Sequence, residues 1–155
     1  MLVTALSIAE GAGHNGANVV ARITHADLTT ATADTAQVLT LQSYIPNGDA
    51  IVGGTNYNAV LKDVRVVQPF EDSTDAAFND LQVKVGDSAD DDQFLAATQI
   101  NRNGTEAVSP SPIPDAITAA ATSVTATFTP AGGKNVAALD KGVIELYFFV
   151  SDGRN

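Results

Sequence analysis

Residues 80–94 read "DLQVKVGDSADDDQF" and combine a strand pattern with an acidic turn. Leu81, Val83 and Val85 alternate with polar residues, and this period of two is typical of a β-strand with one buried face. Four aspartates then fall within the six positions 87–92. The stretch therefore predicts a strand that ends near Val85 and is followed by a turn.

The same alternation recurs along the chain. It is present in "NVVARITH" (18–25), "TAQVLTLQ" (35–42), "AVLKDVRVVQ" (59–68), "SVTATFT" (123–129) and "GVIELYFFVS" (142–151). Turn signals such as "IPNGD", "SPSPIPD" and "PAGGKN" separate these runs. Short helical turns are expected from Ala26, at Pro114, and in "NVAALDKG", where Gly142 would end the turn. Many short strands with frequent turns indicate an all-β fold, a single antiparallel β-sandwich of jelly-roll type.

The strand faces predict the core and the division of the chain. In residues 59–68, Val60, Lys62, Val64 and Val66 are expected on one face, opposite Leu61 and its alternate neighbours. We expect an N-terminal arm over residues 1–18 and one sandwich domain over residues 19–155. The predicted core comprises Leu39, Leu41, Val64, Val66, Leu81, Val83, Val85, Phe128, Ile144, Leu146 and Phe148.

Composition disfavours several classes of partner. The 155 residues contain 8 Lys and Arg against 18 Asp and Glu, for a net charge of −10. Phosphate binding needs clustered cations, so no nucleic acid partner is expected. An anionic membrane surface is disfavoured for the same reason. No apolar run reaches the 18 residues that a membrane helix requires, and the first residues lack the basic region of a secretory signal.

Motifs of catalysis are missing from the sequence. Cysteine is absent, and His14 and His25 have no metal-ligand spacing and are expected at the surface. Neither a nucleophile motif of the G-x-S-x-G type nor a phosphate-binding loop occurs. The sequence predicts a protein that is not an enzyme and that needs no cofactor.

The acidic turn admits two interpretations. Hard cations prefer several oxygen ligands, and Asp87, Asp90 and Asp92 are the candidates for a calcium site, although their spacing does not match an EF-hand. The alternative, which we favour, is a solvated hairpin turn whose like charges discourage pairing with another sheet edge.

The order of several segments resembles a known family. These are "THADLTTA", "TAQVLTL", "GDAIVGG", "PFEDSTDAAFNDLQVKVGDSADDDQFLAATQINRNGTE" and "NVAALDKGVIELYFFV". They resemble the head decoration, or capsid cement, proteins of tailed bacteriophages. The resemblance runs from Ile23 to Val150 and is most specific in "LQVKVGDSADDDQFLAATQI" (81–100). It implies a non-enzymatic β-sandwich, often trimeric, that binds the major capsid protein on the outer surface of the virion. It also implies that the strand ending at Val85 is followed, after the acidic turn, by a strand that begins near Phe94.

Two other functions remain open from the sequence. One is a calcium-dependent ligand-binding or carbohydrate-binding sandwich, although no tryptophan is present to stack on a sugar. The other is a tail or connector protein of the virion.

Candidate contact residues lie at both ends of the chain. Leu2, Val3, Leu6 and Ile8 give the arm apolar side chains that would gain order by docking on the capsid or an adjacent subunit. Tyr147 and Phe149 make the second face of the last strand partly apolar, which predicts an interface and a homotrimer.

Overall fold

The computed structural model describes residues 1–5, 13–41, 57–75, 78, 80–87, 89–100, 111–113 and 124–152, and for 2–5, 57, 58 and 152 only the backbone. The strands are Leu2–Ala5 (β1), Val19–Thr24 (β2), Gln37–Thr40 (β3), Tyr57–Glu71 (β4), Leu81–Gly86 (β5), Leu95–Gln99 (β6), Thr125–Pro130 (β7) and Lys141–Asp152 (β8). Two 3₁₀ helices of three residues each, His25–Asp27 and Val136–Ala138, complete the described elements. Neither helix is long or apolar enough to cross a membrane.

The eight described strands form two antiparallel sheets of four strands each. Sheet A has the order β1-β2-β8-β4, and sheet B has the order β3-β7-β5-β6. A single hydrophobic core takes side chains from both sheets. Over the described residues, the predicted all-β fold, with antiparallel sheets and almost no helix, is therefore confirmed.

The core follows from the alternation of apolar residues in the strands. In β2, for example, Val19, Ala21 and Ile23 are buried and the residues between them are half-buried. The largest fully buried side chains are Phe70, Phe94, Phe128, Phe148, Ile23, Leu41, Leu81, Leu95, Ile100, Ile144 and Leu146. Of the predicted core, all but Leu39 and Val66 are buried, and these two are partly buried and pack against the core.

Strand β4 departs from the strict alternation that we predicted for it. Its pairing with β8 shifts register between Leu61 and Asp63, so Lys62 is an extra residue in the strand. Because a β-bulge reverses the order of faces, Leu61 and Val64 both point into the core. The prediction that Leu61 lies on the face opposite Val64 was wrong for this reason.

Two of the three predicted helical turns lie in the described part of the chain. The first begins at His25, one residue before the predicted Ala26. In the second, Gly142 does not end a helix but lies in β8, where it has a φ of 140°. A Cβ at this position would lie 2.2 Å from Cδ1 of Phe70, so the ring packs directly on the glycine backbone. The turn predicted at Pro114 lies outside the described residues.

Part of the predicted arm joins this chain's own sheet. Leu2–Ala5 forms the edge strand β1 and pairs with β2, with Leu2 opposite Arg22 and Ala5 opposite Val19. Leu6 and Ile8 lie outside the described residues. Residues 2–5 thus add a strand to a sheet of their own chain, and docking of the arm on another protein stays a prediction.

Candidate functional site

The acidic turn, residues 87–93, joins β5 to β6 as predicted. The backbone N–H of Phe94 donates to the carbonyl of Val85 at 2.9 Å and closes the hairpin. The β5 strand ends at Gly86 and β6 begins at Leu95, each one residue beyond the prediction. A Cβ on Gly86 would lie 2.1 Å from the carbonyl oxygen of Asp90, so the turn folds tightly against a glycine backbone.

Asp87 organises the turn from within. Its side chain is only 2% exposed, and Oδ1 accepts hydrogen bonds from the backbone N–H groups of Ala89 at 2.8 Å and Asp90 at 3.0 Å. The backbone N–H of Asp87 donates in turn to the Asp90 carbonyl at 2.8 Å. An aspartate side chain that accepts hydrogen bonds from the backbone N–H groups two and three residues later stabilises a turn of this kind.

The neighbouring aspartates point into solvent and lie close together. The carboxylate oxygens of Asp90, Asp91 and Asp92 lie within 4.8 Å of one another, and all three side chains are exposed. Lys84 forms an ion pair with Asp91. A side-chain hydrogen bond with Asp90, together with the negative charges of Asp90 and Asp91, raises the pKa of Asp92 above its usual value. Carboxylate oxygens are the type of ligand that hard cations such as Ca²⁺ prefer, and three carboxylates lie close together in this turn.

The structure groups the predicted calcium ligands differently. Asp90 and Asp92 are brought together, but the third carboxylate of the cluster belongs to Asp91, while Oδ1 of Asp87 accepts from the turn's backbone. Calcium binding at the acidic turn stays a prediction.

A second cluster lies on the face of β8 that points away from the core. The rings of His14 and Tyr147 stack with centroids 3.5 Å apart and planes 9° from parallel. Nδ1 of His14 lies 3.0 Å from Oδ2 of Asp63, which also accepts from Nε of Arg65 at 3.1 Å. Because an ionised carboxylate only accepts, the imidazole nitrogen is the donor in this pair.

Tyr147 is anchored at its hydroxyl as well as at its ring. The hydroxyl donates to Oε2 of Glu145 at 2.6 Å, and Arg22 forms an ion pair with the same carboxylate. Burial, reinforced by the hydrogen bond and the charge of Glu145, raises the pKa of Tyr147 to about 12. The cross-strand register places Arg22 and Arg65 on either side of Glu145, so charges alternate across the sheet, as favourable cross-strand pairs do.

The segment that precedes β2 closes over this cluster. Asn15 donates from Nδ2 to the carbonyl of Lys62 at 3.2 Å. Asn18 donates to the carbonyl of Val150 and accepts from its N–H, both at 2.8 Å. The side-chain amide of Asn18 thereby continues the hydrogen bonding between the two chain segments by one residue before Val19, the first residue of β2 that pairs with β8. Residues 13–18 are thus held against sheet A by side chains.

The two candidate contact residues on β8 have different surroundings. Tyr147 is only 7% exposed because His14 covers its ring, whereas Phe149 is 41% exposed. Val60 lies opposite Phe149 on β4 and is half-buried. The exposed part of the predicted contact surface therefore centres on Phe149.

Sequence reasoning did not identify His14, Asn18 or Glu145 as structural anchors. The one local feature that could have drawn attention to His14 is the "NG" pair that follows it, because this pair predicts a tight turn that reverses the direction of the chain. The partners on β4 and β8 are more than 45 residues away in sequence, and no local pattern indicates them.

Comparison with known proteins adds no relative: no protein-family model, no curated protein and no solved structure matches this chain.

Proposed function

We propose that this protein is a non-enzymatic structural component of a tailed-phage virion. It binds the outside of the capsid as a homotrimer and stabilises the lattice of the major capsid protein. The proposal is carried by the resemblance of residues 23–150 to capsid decoration proteins. Its most specific stretch, residues 81–100, corresponds to the β5–β6 hairpin and the start of the chain beyond it.

The distribution of charge supports an exterior position. With a net charge of −10, the protein would be repelled by packaged DNA inside the shell. Of the six Lys and Arg residues described, five form ion pairs with carboxylates of the same chain, so few cations remain to bind phosphate.

The roles of the polar side chains support a structural rather than a catalytic protein. His14 stacks on Tyr147 and bonds Asp63, and Asp87 holds the backbone of the acidic turn. These groups stabilise the fold through the contacts they already make, as buried polar networks do when their members are satisfied.

We further propose that the sandwich is a jelly roll. In that fold, eight strands a–h in chain order pair as a-h-c-f in one sheet and b-g-d-e in the other. Strands β2 to β8 follow this order as a, b, c, d, e, g and h, and β1 is added beside β2. Position f would fall between β6 and β7, where most residues lie outside those described.

Capsid binding tests the proposal directly. Purified protein would be mixed with undecorated capsids, and the bound copies would be counted by quantitative gel analysis and imaged on the shell. Hundreds of copies per particle on the outer surface support a decoration protein, whereas a ring of a few copies would identify the alternative tail or connector role. Absence from the particle, with no binding to capsids, would refute both.

Surface variants locate the contact. Phe149→Ser should weaken trimer formation or capsid binding, because it removes the exposed aromatic side chain of sheet A. Val38→Ser is the matched control, since Val38 is 58% exposed on β3 in sheet B. Sedimentation distinguishes loss of the trimer from loss of capsid binding. Equal effects of the two substitutions would show that Phe149 does not lie in the interface.

The acidic turn is the basis for a second candidate function. The three clustered carboxylates would favour a calcium-dependent ligand-binding or carbohydrate-binding module. Such a module should melt at a higher temperature with calcium than with a chelator, by linkage, and should bind glycans on an array only with calcium. Identical melts and an unbound array would exclude it.

A further inference from the structure

The turn that begins residues 13–18 contains an asparagine–glycine pair. Asn15 and Gly16 have φ angles of 56° and 80°, and the N–H of Ala17 donates to the carbonyl of His14 at 3.2 Å. Two central residues with positive φ inside such a hydrogen bond define a type I′ turn. Asn15 is exposed, and a Cβ added to Gly16 would find no atom within 4 Å.

The amide of Asn15 is thus followed by the backbone nitrogen of a glycine, which has open space where another residue would carry a side chain. Once hydroxide removes its proton, the backbone nitrogen of Gly16 can attack Cγ of Asn15. The new N–Cγ bond forms, the Cγ–Nδ2 bond breaks, and ammonia leaves, which gives a five-membered succinimide. Water then opens either carbonyl of the ring to give aspartate or isoaspartate, so the net reaction consumes one water and releases one ammonia. Glycine permits the attack best because it has no side chain over its nitrogen.

We propose that Asn15 is a site of spontaneous deamidation and that its conversion releases residues 13–17 from sheet A. The amide of Asn15 donates to the carbonyl of Lys62, and a carboxylate cannot donate. The new negative charge would also lie beside the next residue of β4, Asp63, which already accepts from His14. Loss of one contact and repulsion from a second carboxylate act in the same direction.

The other asparagines with described side chains provide matched controls. Asn18 precedes the β-branched Val19, and both ends of its amide bond the backbone of Val150. Asn135 precedes Val136, which also shields the attacking nitrogen. Both are expected to retain their amides while Asn15 converts. The pairs Asn47–Gly48 and Asn103–Gly104 lie outside the described residues and serve as references with the same two-residue sequence.

The first experiment needs no variant. The full chain is incubated at mildly alkaline pH and digested, and peptide mass spectrometry follows the change from amide to carboxyl at each asparagine. Conversion at Asn15 ahead of Asn18 and Asn135 supports the proposal. An intact Asn15 in samples where Asn47 or Asn103 has converted would overturn it, as would conversion of Asn18 first.

The consequence for the turn is tested separately. Asn15→Asp should increase hydrogen exchange at the Ala17 amide and the accessibility of the Tyr147 ring to nitration. Asn15→Gly, which loses the donor without adding charge and tolerates the φ of 56° at this position, should show a smaller increase. Exchange and nitration equal to those of the unmodified protein in Asn15→Asp would show that deamidation leaves the turn in place, against the proposal.

Discussion

Phe148 and Phe149 are neighbours on β8 that face opposite environments, and replacing each by alanine gives the sharpest test of the fold. Phe148 is fully buried between the paired residues Val19 and Leu61, whereas Phe149 is 41% exposed. Both substitutions remove the same atoms from the same strand and change the same strand propensity. The difference between their effects therefore isolates burial.

The expected magnitudes differ several-fold. Phe148→Ala removes a ring from the core and leaves a cavity, which lowers the free energy of unfolding by about 3–5 kcal/mol. Phe149→Ala loses only partial burial, worth about 1 kcal/mol. At about 2–4 °C per kcal/mol for a chain of this size, Phe148→Ala should lower the melting temperature by about 6–20 °C.

Urea unfolding measures both variants, with equal m-values as the check that the unfolded states are comparable. The measurement is repeated at two protein concentrations. If Phe149 lies in a subunit interface, only Phe149→Ala should show an effect that depends on concentration, because assembly stabilises the folded chain by mass action. Equal losses in dilute solution, where no assembly forms, would mean that the inward face of β8 is assigned incorrectly.

Four other changes test local features of the structure by thermal or denaturant unfolding. Gly142→Ala should destabilise the protein by about 1–3 kcal/mol, because the new methyl would overlap the ring of Phe70 at a positive φ; an unchanged melt would contradict this packing. Since the pKa of Tyr147 is raised from 10.0 to about 12, the folded state keeps a proton that the unfolded state loses. Stability should then fall as pH rises from about 10 to about 12, and a Tyr147→Phe variant with the same loss over that range would refute this cause. Asp92→Asn should stabilise the protein near neutral pH, because the raised pKa of Asp92 reports a disfavoured charge. Asp140→Asn should destabilise it, because hydrogen bonds from Ser73 lower the pKa of Asp140. A destabilised Asp92→Asn variant would contradict the first assignment, and a stabilised Asp140→Asn variant would contradict the second.

The strands could be predicted from the sequence because their pattern is local. Leu81, Val83 and Val85 alternate without interruption, and the structure buries all three. The glycine and the aspartates after β5 indicate a turn, whereas β6 (Leu95–Gln99) does not alternate, and its start was expected from the family resemblance. Where a strand contains an extra residue, as β4 does at Lys62, the sequence alone cannot show at which residue the buried and exposed positions exchange. That decision depends on the partner strand β8.

The candidate sites depend on contacts that the sequence does not indicate. The position of His14 over Tyr147 requires the chain before β2 to cross β8, which only the sheet order determines. Asp87 was grouped with Asp90 and Asp92 by spacing alone. The structure separates them because the short turn offers backbone N–H groups that the first aspartate can reach.

The order of strands in sheet A also constrains how the chain can fold during its synthesis. β8 lies between β2 and β4 and pairs with both, yet it is the last described strand to leave the ribosome. Until residues 141–152 emerge, β2 and β4 have no common partner strand. Their inward residues Ile23 and Val64 then lack the cross-strand neighbours Ile144 and Leu146. Domains generally fold as units once their chain is available, and partly made sheets expose edges that aggregate. Sheet A is therefore expected to form only after β8 has emerged, and until then the apolar faces of β2 and β4 are exposed to aggregation.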